Sequence, residues 1–197
     1  MLNTGIFIFN DIETLDLCGP LEVFSAANFV SENKVFNVFT FAKNQVPVTT
    51  INGLSINPSF DFHNLPQPDI LIIPGGEGSK KVVEDKKTMS LLDDLFDKSR
   101  FTFTVCSGAR IAARLGWLKN KEFTTHHTVN DEISTLEPLA IPCKDSRYTD
   151  NGKLLTSAGV SAGIDLSFYL LEKISGEVTA EKTAKYMEYT RVDKQDL

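Results

Sequence analysis

The sequence predicts an α/β fold: an open, mostly parallel sheet wound with helices on both faces. Three observations carry this. Strand-like and helix-like segments alternate along almost the whole chain, with no Ser- or Pro-rich linker and no internal repeat. Asp69 to Ile73 is a short, nearly all-apolar run, as a strand covered on both faces must be, and Phe101 to Val105 makes another short strand. Each ends abruptly in a turn sequence, Pro74-Gly75-Gly76 after the first and Cys106-Ser107-Gly108 after the second.

The elements follow in order. Gly5 to Phe9 reads as the first strand. Asn10 to Cys18 is irregular, and Pro20 suits the first turn of a helix whose buried face is Val23, Ala26, Ala27 and Val30. Val35 to Ala42 is a second strand, and Val46 to Ile56 a small hairpin turning at Asn52-Gly53. A helix from Ser79 to Lys98 buries Leu91, Leu92, Leu95 and Phe96. Ala109, Ala112 and Ala113 give the helix after Cys106 a face of small residues that can lie close to a sheet. Phe123 to Thr125 reads as a strand, and Ser146 to Tyr148 and Lys153 to Ser157 as a hairpin around Asp150-Asn151-Gly152. Ile164, Phe168 and Leu171, then Ala180, Ala184 and Met187, mark two closing helices.

Composition bounds the function. The 197 residues suit one domain spanning 1–197, and 42% hydrophobic with 23% charged residues describes a globular protein. Lys and Arg total 20 against 26 acids, a net charge of -6 that disfavours nucleic acid and anionic membrane as partners. No apolar run approaches the roughly 18 residues that span a bilayer, and no basic region precedes the first strand. Cys18, Cys106 and Cys143 cannot all pair and show no C-x-x-C spacing, so a disulfide framework and a zinc site are both unexpected, and the expected location is the cytoplasm.

In doubly wound sheets, ligands sit beyond the carboxyl ends of the strands, which directs attention to Gly75-Gly76 and Cys106. Cys106 lies at a strand-to-helix turn of the kind that projects a nucleophile, with Gly108 two residues on, although Thr104 stands where the G-x-nucleophile-x-G pattern has its first glycine. A helix N-terminus favours the thiolate there, while a buried inert cysteine is the bland alternative. Gly75 and Gly76 can offer backbone N–H groups to an anion, or form an ordinary turn. Asp16, flanked by Leu15 and Leu17, is a candidate proton shuttle if partly removed from water, or else a helix cap, and Glu22 is the rival acid. His126 and His127, if on a strand, face opposite ways, so at most one joins a given site; the absence of any H-x-x-x-H spacing argues against a metal. Arg110 and Arg114 read as a solvated face.

Taken in order, Leu15-Asp16-Leu17-x-Gly19-Pro20-x-Glu22-Val23-Phe24, Ile73-Pro74-Gly75-Gly76, Val105-Cys106-Ser107-Gly108, Thr124-Thr125-His126 and Ser157-Ala158-Gly159-x-x-Ala162-Gly163-Ile164-Asp165 resemble the ThiJ/PfpI superfamily over about residues 3–190. The Leu-Asp-Leu-x-Gly-Pro opening, the hydroxyl residue after the cysteine and the final Ala-Gly-Ile-Asp are similar to its isocyanide hydratases, a set shared in part by ligand-binding domains of AraC-type regulators.

The resemblance implies a flavodoxin-like sandwich with a nucleophile elbow, a homodimer, no cofactor, and a small-molecule substrate. It implies Cys106 as nucleophile, Asp16 as its acid partner and Ser107 as orienting hydroxyl, with Gly76 and Ser107 N–H groups for developing charge and Gly75 and His126 lining the pocket. The protease-like members carry His after the nucleophile; Ser107 stands there in this chain, which argues against peptidase activity. Two alternatives remain: another thiol enzyme of the superfamily, an amidase or glyoxalase/deglycase, and a non-enzymatic sensor. The regulator branch appends a basic helix-turn-helix, whereas this acidic chain stops at Leu197, so a sensor would need a separate DNA reader.

Overall fold

A computed structural model describes residues 1–192 of the chain, so the expected domain end at Leu197 lies outside the described residues. The central sheet has seven strands: β1 (Leu2–Phe7), β2 (Phe36–Ala42), β5 (Phe60–Asp61), β6 (Ile70–Ile73), β7 (Phe101–Val105), β10 (Tyr148–Asn151) and β11 (Leu154–Ser157), in the order β10-β11-β7-β6-β1-β2-β5. All neighbours are parallel except β10 on β11, the hairpin expected around Gly152. The central β6 and β7 are buried at every residue, β6 as an all-apolar run and β7 with Thr102 and Thr104 buried between Phe101, Phe103 and Val105.

The helices are α1 (Thr14–Val30), α2 (Ser79–Val82), α3 (Lys86–Lys98), α4 (Ala109–Arg114), α5 (Asn130–Leu136), α6 (Ala162–Ser175) and α7 (Glu177–Tyr186). A separate hairpin, β3 (Val48–Thr49) with β4 (Ser55–Ile56), and a short pair, β8 (Glu122–Phe123) with β9 (Ile141–Pro142), complete the elements. Helix α1 packs on α6, where a Cβ at Gly19 would sit 2.8 Å from Ile164 Cγ1.

Several expectations need correction. Helix α1 begins at Thr14, so Asp16 is in its first turn and Pro20 lies inside the helix. Proline deletes only its own N–H, the one that would reach the carbonyl of Asp16 near the helix start, so the helix continues. The expected single helix from Ser79 to Lys98 is two: it breaks at Val83 to Asp85, and the Asp85 side chain accepts a bond from the Thr88 N–H to start α3. The strand around Phe123 stops before the histidines, and α5 was not expected because Asn130-Asp131-Glu132 opens it with three polar residues in a row.

Candidate active site

The site forms where β1, β6, β7 and β11 end. Val105 leaves β7 extended, and Cys106 turns sharply with φ +56°, a left-handed conformation rare for a side-chain-bearing residue. Three contacts hold it there. The Cys106 N–H donates to Ala158 O at 3.2 Å, the Thr125 hydroxyl donates to Cys106 O at 2.7 Å, and a Cβ on Gly108 would lie 2.2 Å from Ile73 O, so only glycine admits the tight return beside β6. Strain at a residue so fixed is the geometry of a nucleophile elbow.

Asp16 is fully buried and reaches across from α1: the Gly75 N–H donates to its Oδ2 at 2.9 Å. Its Oδ1 has no well-formed hydrogen-bond partner, and the Cys106 thiol lies close enough for each group to act on the other. Burial pushes the Asp16 carboxyl up to about 7, against the lowering effect of the Gly75 N–H. Burial, then the neighbouring Asp16 charge, pushes the Cys106 thiol up to about 12. The N–H groups of Ser107 and Val160 act on the sulfur in the opposite direction but are outweighed. The expectation that the helix N-terminus favours the thiolate is therefore corrected: desolvation and the Asp16 charge outweigh the N–H groups.

Ser107 is buried beside both. Its Oγ accepts from the Gly76 N–H at 2.9 Å. This N–H, expected to serve developing charge, here orients the hydroxyl instead, and the amides acting on the sulfur are those of Ser107 and Val160. Gly75 could carry no side chain, since a Cβ would meet Ser107 N at 2.6 Å and Asp16 Oδ2 at 2.9 Å. Val160, at φ +50°, went unnoticed in the sequence because a backbone amide leaves no mark in residue type; the nearby Ser157-Ala158-Gly159 was the available signal.

A cavity of about 160 Å³ opens over the sulfur, lined by Glu13, Ile51, Gly76, Glu77, Cys106 and Ser107 together with Arg110, His126, Thr128, Val129 and Val160. His126 is half-buried and packs so closely that a Cβ on Gly159 would lie 2.2 Å from its ring. The Thr128 N–H donates to Nδ1, and burial with the neighbouring His127 lowers the His126 pKa, so the ring is neutral at pH 7. His127 is exposed, its ring 4.3 Å from that of His126; the two do not flank a strand.

Arg110 also departs from expectation: it is 3% exposed, pairing with Glu132 at 2.7 and 2.8 Å and donating to Ser79 Oγ. Glu22 is exposed and absent from the cavity lining, and Glu13 and Glu77, which sequence reasoning missed, are the acids that line it. A larger apolar cavity of about 260 Å³ beside Phe7, Phe9 and Val82 contains none of these groups. Among the described residues no cluster of His, Cys, Asp or Glu could hold a metal ion, and no helix is long and apolar enough to cross a membrane.

The chain that carries this strained cysteine, buried acid and double glycine is matched by the model of the DJ-1/PfpI family over residues 4–173. The chain belongs to the DJ-1/PfpI family. It is 33% identical over 188 residues to isonitrile hydratase of Pseudomonas putida, covering 95% of this chain and 78% of that protein. Deglycase PfpI of Pyrococcus furiosus is 22% identical over 124 residues, 63% of this chain and 72% of that one. The crystal structure of a ThiJ/PfpI family protein from Pseudomonas syringae superposes with TM-score 0.87 at 26% identity, covering 98% of this chain and 76% of that one. As in open α/β sheets generally, the site lies at the carboxyl ends of parallel strands.

Proposed function

We propose that the protein is a cysteine-dependent hydro-lyase that adds water to an isocyanide, giving an N-substituted formamide. The single observation that carries this is the contact between Cys106 and the fully buried Asp16, since the reaction needs one group to attack carbon and one to move protons beside it. The likeness to isonitrile hydratase supports the same reading.

The working form of the pair holds one proton, shared between carboxyl and sulfur. Sulfur attacks the terminal carbon of R–N≡C and the proton passes from Asp16 to that carbon, forming the thioimidate R–N=CH–S–Cys106. Asp16, now a carboxylate, takes a proton from water as its oxygen attacks the same carbon, and hands that proton to nitrogen. The adduct R–NH–CH(OH)–S then loses its hydroxyl proton to Asp16 and expels sulfur, releasing R–NH–CHO with the pair again holding one proton. The N–H groups of Ser107 and Val160 steady the sulfur when it is anionic, and the Ser107 hydroxyl orients water. Gly76 acts through that hydroxyl, and the neutral His126 forms part of the wall.

Incubation with a panel of isocyanides, with methylglyoxal and peptide amides as controls, tests the reading: formamide should appear, and turnover of methylglyoxal alone would favour the deglycase alternative. Because the acid form of the pair carries one proton too many, kcat/KM is expected to rise about tenfold per pH unit below pH 7 and level off above it. A flat profile from pH 5 to 8 would remove Asp16 from the proton transfer.

Ser107→Ala should slow hydration by about tenfold, the worth of one hydrogen bond, while Cys106 remains open to alkylation. Ser107→Thr should keep most of the rate. An enzyme indifferent to Ser107→Ala would mean that water is organised elsewhere. The reading includes a homodimer, supported by the exposed Phe29 and Tyr186, whose rings lie 5.7 Å apart across α1 and α7 as an apolar patch.

A further inference from the structure

Four side chains around the cavity can carry charge, besides Asp16 and Cys106 beneath it: Glu13, Glu77, Arg110 and His126. Three of them have partners. Arg110 is neutralised by two bonds to Glu132. Glu77 pairs with Lys80 at 2.6 Å and is 61% exposed, so water screens what remains of its charge. His126 is uncharged at neutral pH and its Nδ1 is bonded to Thr128.

Glu13 differs. Its N–H donates to Gly75 O at 3.0 Å, which fixes the residue at the N-terminal edge of α1, but its carboxylate has no hydrogen-bond or ion-pair partner among the described residues. It is half-buried and lines the cavity, and its charge is felt by both Asp16 and His126. Its neighbours in the lining include Ile51, Val129 and Val160, apolar surfaces that lower the local dielectric and strengthen any charge pairing in the cavity. Ile51 is held there because its N–H donates to Ile12 O at 3.0 Å and the Thr14 hydroxyl donates to Asn52 at 2.9 Å, laying the hairpin over the chain segment that carries Glu13.

We propose that Glu13 is a specificity-determining residue that selects substrates bearing a cationic group, an ammonium on the substituent R of the isocyanide, and turns away carboxylates. This rests on the hydratase reading for the identity of the reactive group, while the charge preference is a property of the cavity itself. Glu13 forms no bond to reacting atoms; it supplies the one uncompensated charge at the entrance to Cys106, and a cation there replaces the missing partner.

The test uses three isocyanides of matched size: a neutral alkyl isocyanide, an ammonioalkyl isocyanide and isocyanoacetate. Wild-type kcat/KM should fall in that charge order, cation, neutral, anion. Glu13→Gln should shrink the cation-to-anion ratio at least tenfold, whereas Glu77→Gln should leave it within about twofold, because its partner and solvent already compensate it. A second readout needs no turnover: Cys106 alkylation by 2-bromoethylammonium, iodoacetamide and iodoacetate, each normalised to a free thiol and followed by mass spectrometry. The alkylation ratio should show the same preference and the same loss in Glu13→Gln. A ratio unchanged by Glu13→Gln in both assays overturns the proposal. Absence of formamide from every isocyanide removes the hydratase reading instead, and the alkylation ratios still decide the role of Glu13.

Discussion

Replacing Cys106 by alanine is expected to abolish formamide production, with a loss of at least about 10⁴-fold, because the attack on the isocyanide carbon that opens the reaction is made by this sulfur. Cys106→Ser should be nearly as damaged, since a hydroxyl beside Asp16 is a far weaker nucleophile. Cys18→Ala and Cys143→Ala should retain activity: neither residue lines the cavity. Limited iodoacetamide treatment followed by mass spectrometry gives an independent check. With a thiol pushed up to about 12, labelling of Cys106 should be slow near pH 7; Asp16→Asn removes a charge that helps raise the thiol, which speeds labelling, and removes the group that takes its proton, which slows it, so slower labelling marks the shared proton. Faster labelling of Cys106 in that variant would contradict the shared proton.

Asp16→Asn is expected to lose at least about 10²-fold in kcat/KM, the usual contribution of a positioned acid-base group, and to become more stable. The sign follows from linkage. The Asp16 carboxyl binds its proton more tightly in the folded chain, at about 7, than its ordinary value of 3.8, so its burial favours folding below pH 4 and loses that advantage as pH rises towards 7. Above pH 7 the folded protein holds a buried carboxylate at a cost on the order of 4 kcal/mol, from about 1.36 kcal/mol per pH unit. Asparagine has no such charge and can still accept from the Gly75 N–H. The melting temperature of Asp16→Asn should exceed wild type by several degrees at pH 8 and converge with it near pH 4. An equal or lower melting temperature at pH 8 would place a partner on Asp16 that stabilises the carboxylate.

Such a cost is the usual mark of a functional group kept against stability. The same holds for Cys106 and for Val160, whose N–H acts on the sulfur, two residues with side chains at positive φ. Glycine at either place would relieve the backbone, and neither is glycine.

Much of this was legible in the sequence. The all-apolar run at β6 had to be a central strand, because no solvated face could accept it, and parallel β6 and β7 deliver their C-terminal turns to one edge; Gly75, Gly76, Cys106 and Ser107 meet there for that reason. The leucines beside Asp16 signalled burial, and the structure adds that Leu17 is buried while Leu15 is 37% exposed. What tertiary structure alone decided are the quantities that depend on neighbours distant in the chain. The proton affinities of Asp16 and Cys106 come from desolvation and from each other, 90 positions apart in sequence. Arg110 looked solvated because its partner Glu132 lies on a short polar helix with no periodic signal. Glu22 was the rival acid in the sequence and Glu13 carried no local signal, and only the start of α1 at Thr14 and the hairpin over Ile12 turn the first to solvent and the second to the cavity. Local pattern specifies which elements form; charge, exposure and the direction of a backbone amide are set by what those elements bring together.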